Sequence, residues 1–259
     1  MMSDFAAESF YDAYWEHRIA RGDVDSPKRV KLRHEQAATF LRDRLRDVPG
    51  ARVLDLGCGD GVMGDVLHGD GYALEGADVS PRVLDVAERW YEKTRRFDMN
   101  RDELPEAWRG AFDAVVCLEV LEHLEHPRRN IEQTLAALKP GGAAVFSFPN
   151  IFSWKNRLAF IRGRWPKSYT TYDPREHLQV FELEAFESWL REAGFVVESR
   201  AITPDLPRPQ PFRKWMFRAR GVLGRWSPTL WAMQINVFAH RPAEAAAIES
   251  DTRDVKQAA

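Results

Sequence analysis

Residues 57–61, Gly57-Cys58-Gly59-Asp60-Gly61, follow the run Val53-Leu54-Asp55-Leu56. The apolar run reads as a buried strand, and the alternating glycines as a turn that can take positive φ and let a ligand lie against bare backbone. Two classes of cofactor use such a loop. For a dinucleotide, Gly59, Gly61 and Gly64 match G-x-G-x-x-G, and Asp78, 19 residues beyond Gly59, stands where an acid would bind a ribose diol. S-adenosylmethionine has the same diol but no pyrophosphate. Its ammonium and sulfonium suit the carboxylate of Asp55, which would repel a pyrophosphate. No Gly-Lys-Ser/Thr follows the loop, which argues against a nucleoside triphosphate.

A second group of reactive side chains is Glu119-Val120-Leu121-Glu122-His123. As a helical turn, this segment would place Glu119, Glu122 and His123 on one face. Two carboxylates and an imidazole converging there could hold a divalent metal. His177, in Asp173-Pro174-Arg175-Glu176-His177, could supply a fourth ligand from a lid. Without a metal, His123 or His177 could act as general base, because imidazole takes a proton near neutral pH.

These residues need a frame. Helices are expected over 5–20 and 29–47, the second ended by Pro49-Gly50. Strands and helices then alternate: strand Arg52–Leu56, helix 62–68, strand Ala73–Asp78, helix 81–93 capped by Ser80, a weak third strand, strand Phe112–Leu118, helix 128–138 stopped by Pro140-Gly141-Gly142, and strand 143–148. Helix Leu183–Ala193 ends at Gly194 and leads into strands 195–200 and 234–240. Apolar strands separated by helices predict a Rossmann-like, doubly wound parallel sheet covered on both faces, with a closing antiparallel strand. Segments 151–177 and 203–230, rich in Pro, Trp and Arg, interrupt the alternation and read as a lid over the carboxyl edge of the sheet.

The ordered stretches VLDLGCGDG, GADVSP, FDAVVCLEVLEHLEHP and LKPGGAAVFSFPN resemble the motifs of class I S-adenosylmethionine-dependent methyltransferases, over residues 50–150 and again over 177–195. The resemblance implies a seven-stranded sheet with the last strand antiparallel. It places Gly57, Cys58, Gly59 and Gly61 against the methionine and ribose, with Asp55 orienting the loop. Asp78 and Val79 would lie at the ribose, Asp98 at the adenine, and Glu119 beside the methyl donor. Glu-x-x-Glu-His with a distant His is similar to the metal site of small-RNA 2′-O-methyltransferases. Ubiquinone-pathway O-methyltransferases have a similar stretch. On that likeness Glu119, Glu122, His123 and His177 would hold a magnesium-like ion that grips acceptor oxygens. SFPNIFSWKNRLAFIRGRWP also resembles the methionine-biosynthesis W family.

The 259 residues suit one methyltransferase domain over 1–241, with N-terminal helices over 1–48 and a flexible tail over 242–259. With 44% hydrophobic and 29% charged residues the chain is not disordered in bulk. Two cysteines point to a reducing cytoplasm, and no basic-then-apolar leader opens the sequence. Charge is uneven: net −7 over 1–149 and +7 over 150–241, where six of the nine tryptophans lie. The expected acceptor is a small molecule, anionic or aromatic, methylated on oxygen. Tyr11, Tyr14, Trp15, Trp154, Arg157, Arg164, Trp165, Lys167, Tyr169 and Tyr172 could help hold it. Segment 212–226, basic and aromatic, could lie on a membrane surface. DNA is not expected. RNA is disfavoured by the negative whole-chain charge and the lack of a separate binding module. A non-catalytic cofactor-binding regulator is the remaining alternative.

Overall fold

The computed structural model describes residues 7–24, 30–166, 177–204 and 227–243. Its elements are α1 (Ala7–Ala20), α2 (Leu32–Arg44), β1 (Arg52–Leu56), α3 (Val62–Leu67), β2 (Ala73–Asp78), α4 (Pro81–Ala87), β3 (Lys93–Arg96), β4 (Phe112–Leu118), α5 (Pro127–Ala137), β5 (Leu138–Pro149), α6 (Trp154–Ile161), α7 (Leu183–Ala193), β6 (Val196–Pro204), α8 (Pro228–Trp231) and β7 (Ala232–His240). The seven strands form one sheet in the order β3-β2-β1-β4-β5-β7-β6, with β7 antiparallel to both neighbours.

The strand sequences explain the layering. Side chains alternate between faces, so a strand buried on both sides is apolar throughout. Val53, Ala114, Val116 and Val145 face one way and pack with Ala37 and Leu41 of α2 and Leu67 of α3. Leu54, Leu56, Val115, Cys117 and Phe146 face the other way and pack with Ile131 of α5 and Phe186 and Leu190 of α7. Strand order reverses between β1 and β4, and at such a switch point the carboxyl ends of the two strands open a crevice. The loops carrying Gly57 and Glu119 flank it.

Three expectations change. The helix expected over 81–93 stops at Ala87, followed by a 3₁₀ turn (Glu88–Trp90), and Lys93 already belongs to β3. The physical reason is Tyr91: its buried ring lies against Gly76 and Gly64, where a Cβ would come within 2.9 and 2.8 Å of it. Docking that ring takes the chain out of the helix. The strand expected over 143–148 starts at Leu138 and runs through Pro140, with a register shift between Phe112 and Ala114 of its partner. The segment 119–123 is not one helical turn: Glu119 has φ 56°, and only Leu121–His123 form a 3₁₀ turn. Of the proposed lid, Lys167, Tyr169, Tyr172 and the segment 212–226 lie outside the described residues. No helix among the described residues is long and apolar enough to cross a membrane.

Candidate active site

The glycine loop leaves β1 with positive φ at Gly57, Gly59 and Gly61. The N–H groups of Gly57 and Cys58 both donate to the Ala77 carbonyl, at 2.7 and 3.0 Å. This ties the turn to the end of β2. A Cβ on Gly57 would come within 2.3 Å of Val120 Cγ2, and one on Gly59 within 3.0 Å of the Trp15 ring. The loop is therefore pressed between the β4 exit and α1, with no room for a side chain at Gly57 or Gly59.

Two buried carboxylates form its floor. Asp55 Oδ2 accepts from the Tyr91 hydroxyl, which in turn accepts from Gly64 N–H at 3.1 Å. Asp78 accepts from Gly59 N–H through Oδ2 and from Ser80 N–H through Oδ1, both at 3.0 Å. Burial raises Asp55 to about 7; the Tyr91 hydrogen bond opposes the shift and the negative charge of Asp78 adds to it. Burial likewise raises Asp78 to about 6, against the pull of the Ser80, Gly59 and Val79 backbone. Among the described residues, no cationic side chain forms an ion pair with either group. Burial and these acids also push the Cys58 thiol well above its ordinary value, so it stays protonated.

Above this floor lies an open cavity lined by Gly57, Gly59, Asp78, Val79, Phe97, Asp98, Met99, Asn100, Glu119 and His123 and roofed by Tyr11, Tyr14 and Trp15 of α1. The roof is fastened down by the Asp12 carboxylate, which accepts from Ser80 Oγ, and by Arg96 Nε donating to Glu8 at 3.0 Å. Asp98 lines the cavity and also accepts from Asn100 N–H at 2.9 Å.

A wider cleft adjoins the cavity and shares Tyr14, Trp15, Gly57, Gly59, Glu119 and His123 with it. Here Glu122, His123 and His177 each bring a ligand atom within 4.8 Å of the others. The Glu122 side chain is 1% exposed. Its backbone carbonyl accepts from Leu178 and Gln179 N–H at 2.8 and 2.9 Å, which pins the segment carrying His177 against the 3₁₀ turn. The rings of His123 and His177 lie 4.9 Å apart, and Tyr11 meets His123 edge-on at 6.1 Å. Donors around an ion ligated at about 2.0–2.2 Å stand at most about 4.4 Å apart, so shifts of a few tenths of an ångström would close the cluster on a metal.

Glu119 stands outside that cluster. Its left-handed backbone turns it toward β5 and β7, where Ser147 Oγ donates to Oε1 at 2.9 Å and Gln234 Nε2 to Oε2 at 2.7 Å. Gln234 also accepts from Arg33 Nη1 at 3.3 Å. Arg33 lines the cleft, and its Nε is buried with no hydrogen-bond partner among the described residues. Sequence reasoning missed Tyr91, Ser147, Gln234 and Arg33. Only Arg33 had a usable signal: the cofactor considered for the loop carries a carboxylate, and that group needs a cation from outside the glycine motif.

A doubly wound sheet in this order, with a glycine-rich loop after the first strand and an acid toward the end of each of the first two strands, defines a class I S-adenosylmethionine-dependent methyltransferase. The chain matches the methyltransferase domain family over residues 29–200 and belongs to it. A ubiquinone biosynthesis O-methyltransferase of Xanthomonas axonopodis pv. citri is 32% identical over 208 residues, covering 76% of this chain and 82% of the relative. Its namesake in Thiobacillus denitrificans is 28% identical over 180 residues, covering 67% and 78%. Among solved structures, magnesium protoporphyrin IX methyltransferase of Synechocystis aligns with a TM-score of 0.60 at 17% identity, covering 91% of this chain and 98% of that one. An S-adenosylmethionine-dependent methyltransferase of Mesorhizobium loti aligns at 0.54 and 21%, covering 80% and 100%. At these identities the structural likeness concerns the fold.

The raised acids fix a pH dependence. A cation beside Asp55 and hydroxyl donors at Asp78 favour their ionised forms, so S-adenosylmethionine affinity is expected to rise between about pH 5 and about pH 8, by up to about tenfold per unit for each proton released. The cofactor-free fold changes in the opposite sense. Stability from an acid shifted up from 3.8 is fully present below that value and is lost as pH rises through about 6 for Asp78 and about 7 for Asp55. Calorimetry in buffers of different ionisation enthalpy measures the proton count. An affinity that stays flat across the interval counts against both residues as cofactor partners.

Proposed function

We propose that this methyltransferase moves the methyl group of S-adenosylmethionine to a hydroxyl oxygen of a small-molecule acceptor, assisted by a divalent ion held by Glu122, His123 and His177. The convergence of these three side chains in the cleft beside the cofactor cavity carries the reading. The ubiquinone biosynthesis O-methyltransferases among the relatives support an oxygen acceptor.

The cofactor's ribose lies at Asp78, its adenine near Asp98 and Phe97, and its ammonium on the side of Asp55. Arg33, with its uncommitted Nε, takes the methionine carboxylate. Glu119, anchored by Ser147 and Gln234, fixes the wall beside the sulfonium. The donor supplies an activated methyl, so the protein positions the acceptor oxygen in line and disposes of its proton. When bound, the ion acts as a Lewis acid that lowers the hydroxyl pKa and orients the oxygen. The oxygen–carbon bond forms as the sulfur–carbon bond breaks, and the hydroxyl proton leaves to solvent or a nearby base. A set of two imidazoles and one carboxylate suits a first-row ion such as Mn²⁺ or Zn²⁺ better than Mg²⁺, which prefers an all-oxygen shell.

The test is methylation of a panel of catechols by the full chain, before and after exhaustive chelation. Transfer is expected to fall by at least about a hundredfold on chelation and to return with Mn²⁺. Transfer unaltered by chelation removes the ion and leaves His123 or His177 as metal-free base. Transfer confined to amine acceptors removes the oxygen.

A further inference from the structure

We propose that Arg18 of α1 is an anion subsite in the acceptor cleft, and that the acceptor is an aromatic ring bearing hydroxyls on one side and a carboxylate on the other. The hydroxyl half of this statement rests on the methyl-transfer reading; the anion subsite does not. Arg18 lines the cleft that holds Glu122, His123 and His177, and it does not line the cofactor cavity. Its guanidinium is held by neutral groups. Nη1 donates to the Tyr14 hydroxyl at 3.2 Å, and Cζ stands 5.0 Å from the centre of the Trp15 ring and 5.7 Å from that of Tyr14. Among the described residues it has no carboxylate partner. Asp23, which shares the cleft, pairs instead with Arg21 Nε at 3.5 Å. Other surface arginines sit on acids, as Arg42 does on Asp70, Arg96 on Glu8 and Arg128 on Glu192.

The chemistry of the group names its ligand. A guanidinium presents its N–H donors in a rigid planar fork that matches a carboxylate in pairs. One donor goes to Tyr14, and the others face no acid. Stacking on two rings fixes the fork without neutralising it. Such a charge is oriented before any ligand arrives, which lowers the ordering cost of binding one.

Position ties the subsite to the reacting groups. Tyr11, Tyr14 and Arg18 are three and four residues apart, so they share one stripe of α1. Tyr11, at the far end of the stripe, meets His123 edge-on at 6.1 Å, and the Tyr11 and Tyr14 rings are 6.4 Å apart. Side chains on a helix lean toward its N-terminus, which carries the guanidinium back over Tyr14 in the direction of His123. Seven residues of helix rise about 10 Å. One aromatic ring with opposed substituents covers such a length, given a bond from its hydroxyl to the histidine cluster and a hydrogen bond from its carboxylate to Arg18. The ring would then lie along Tyr11 and Tyr14. The other carboxylate the site must meet is the cofactor's own, assigned above to Arg33, and the experiment separates the two.

The test is calorimetric binding of 3,4-dihydroxybenzoate and of its methyl ester to the full chain saturated with S-adenosylhomocysteine, followed by methylation of the same pair. The acid is expected to bind at least about tenfold more tightly than the ester, because a hydrogen bond to a charged group contributes about that factor or more. In Arg18→Met, which keeps an apolar stem over Tyr14 and Trp15, the acid-to-ester ratio should fall to about one, and Arg18→Lys should restore part of it. In kinetics the loss should fall on KM for the acid rather than on kcat. Equal binding of acid and ester by the parent chain overturns the proposal. So does a ratio that survives Arg18→Met, which would put the anion elsewhere. A fall of about tenfold or more in S-adenosylhomocysteine affinity with the ratio unchanged hands Arg18 to the cofactor's carboxylate and overturns it too. A preference for the acid that depends on Arg18, in a chain that methylates neither ligand, supports the subsite and counts against the methyl-transfer reading alone.

Discussion

Glu122→Gln is expected to lower methyl transfer by about two to four orders of magnitude while changing S-adenosylhomocysteine affinity by less than about threefold. The substitution keeps volume and removes a charge. It leaves the backbone carbonyl that holds Leu178 and Gln179, so His177 stays in place. What goes is the anionic donor of the cluster. A second readout is independent of the acceptor: Mn²⁺ titration followed by electron paramagnetic resonance should show at least about a tenfold weaker site. His123→Ala should do the same, and the double variant should be little worse than either single one, because groups that act as a unit are not additive. Full activity in Glu122→Gln would sink the assignment. Lost activity with Mn²⁺ affinity intact would move Glu122 from ligand to positioning residue.

The second large effect is expected at Gly57. Alanine there meets two obstacles: φ is +72°, and the new Cβ would sit 2.3 Å from Val120 Cγ2. Left-handed backbone on a residue with a side chain costs about 1–3 kcal/mol, and overpacking costs a similar amount. The loop relieves both by moving away from the cofactor, so affinity for S-adenosylhomocysteine should fall by about two to three orders of magnitude. Adding Val120→Ala to Gly57→Ala separates the causes. It removes the clash and leaves the φ strain, so part of the affinity should return. If the double variant binds no better than Gly57→Ala, backbone strain alone accounts for the loss. If Gly57→Ala binds normally, the loop does not touch the cofactor.

Much of this architecture was legible in the residues, because the signals were local. The runs at Arg52–Leu56, Ala73–Asp78 and Phe112–Leu118 are apolar strands bounded by turn residues, and they form strands with those bounds. Leu183–Ala193 ends where Gly194 supplies a left-handed cap. Ser80 caps α4 as expected, accepting from Val83 N–H at 3.4 Å. What was not legible depends on distant partners. Nothing near Ala87 announces the end of α4, because the cause is a slot built by Gly64 and Gly76. Glu119 looked like the start of a helical turn, yet Ser147 and Gln234, 28 and 115 residues away, draw its carboxylate toward the neighbouring strands. Trp15 reads from the sequence as an aromatic that could help hold the acceptor, and only the tertiary fold lays it over Gly59. The Glu-x-x-Glu-His spacing made Glu122 and His123 candidates, and the return of the chain at Leu178 and Gln179 brought His177 to them.

The seat of Tyr91 has a consequence for how this sequence can drift over generations. The ring fits only while positions 64 and 76 both lack a side chain, and its hydroxyl is what steadies Asp55. The three sites are thus inherited as one package: a lineage that gains a methyl at either glycine must give up the phenol and find another neighbour for a buried acid. Change there comes in concert or not at all, although the three positions are spread along the chain and none of them meets the acceptor.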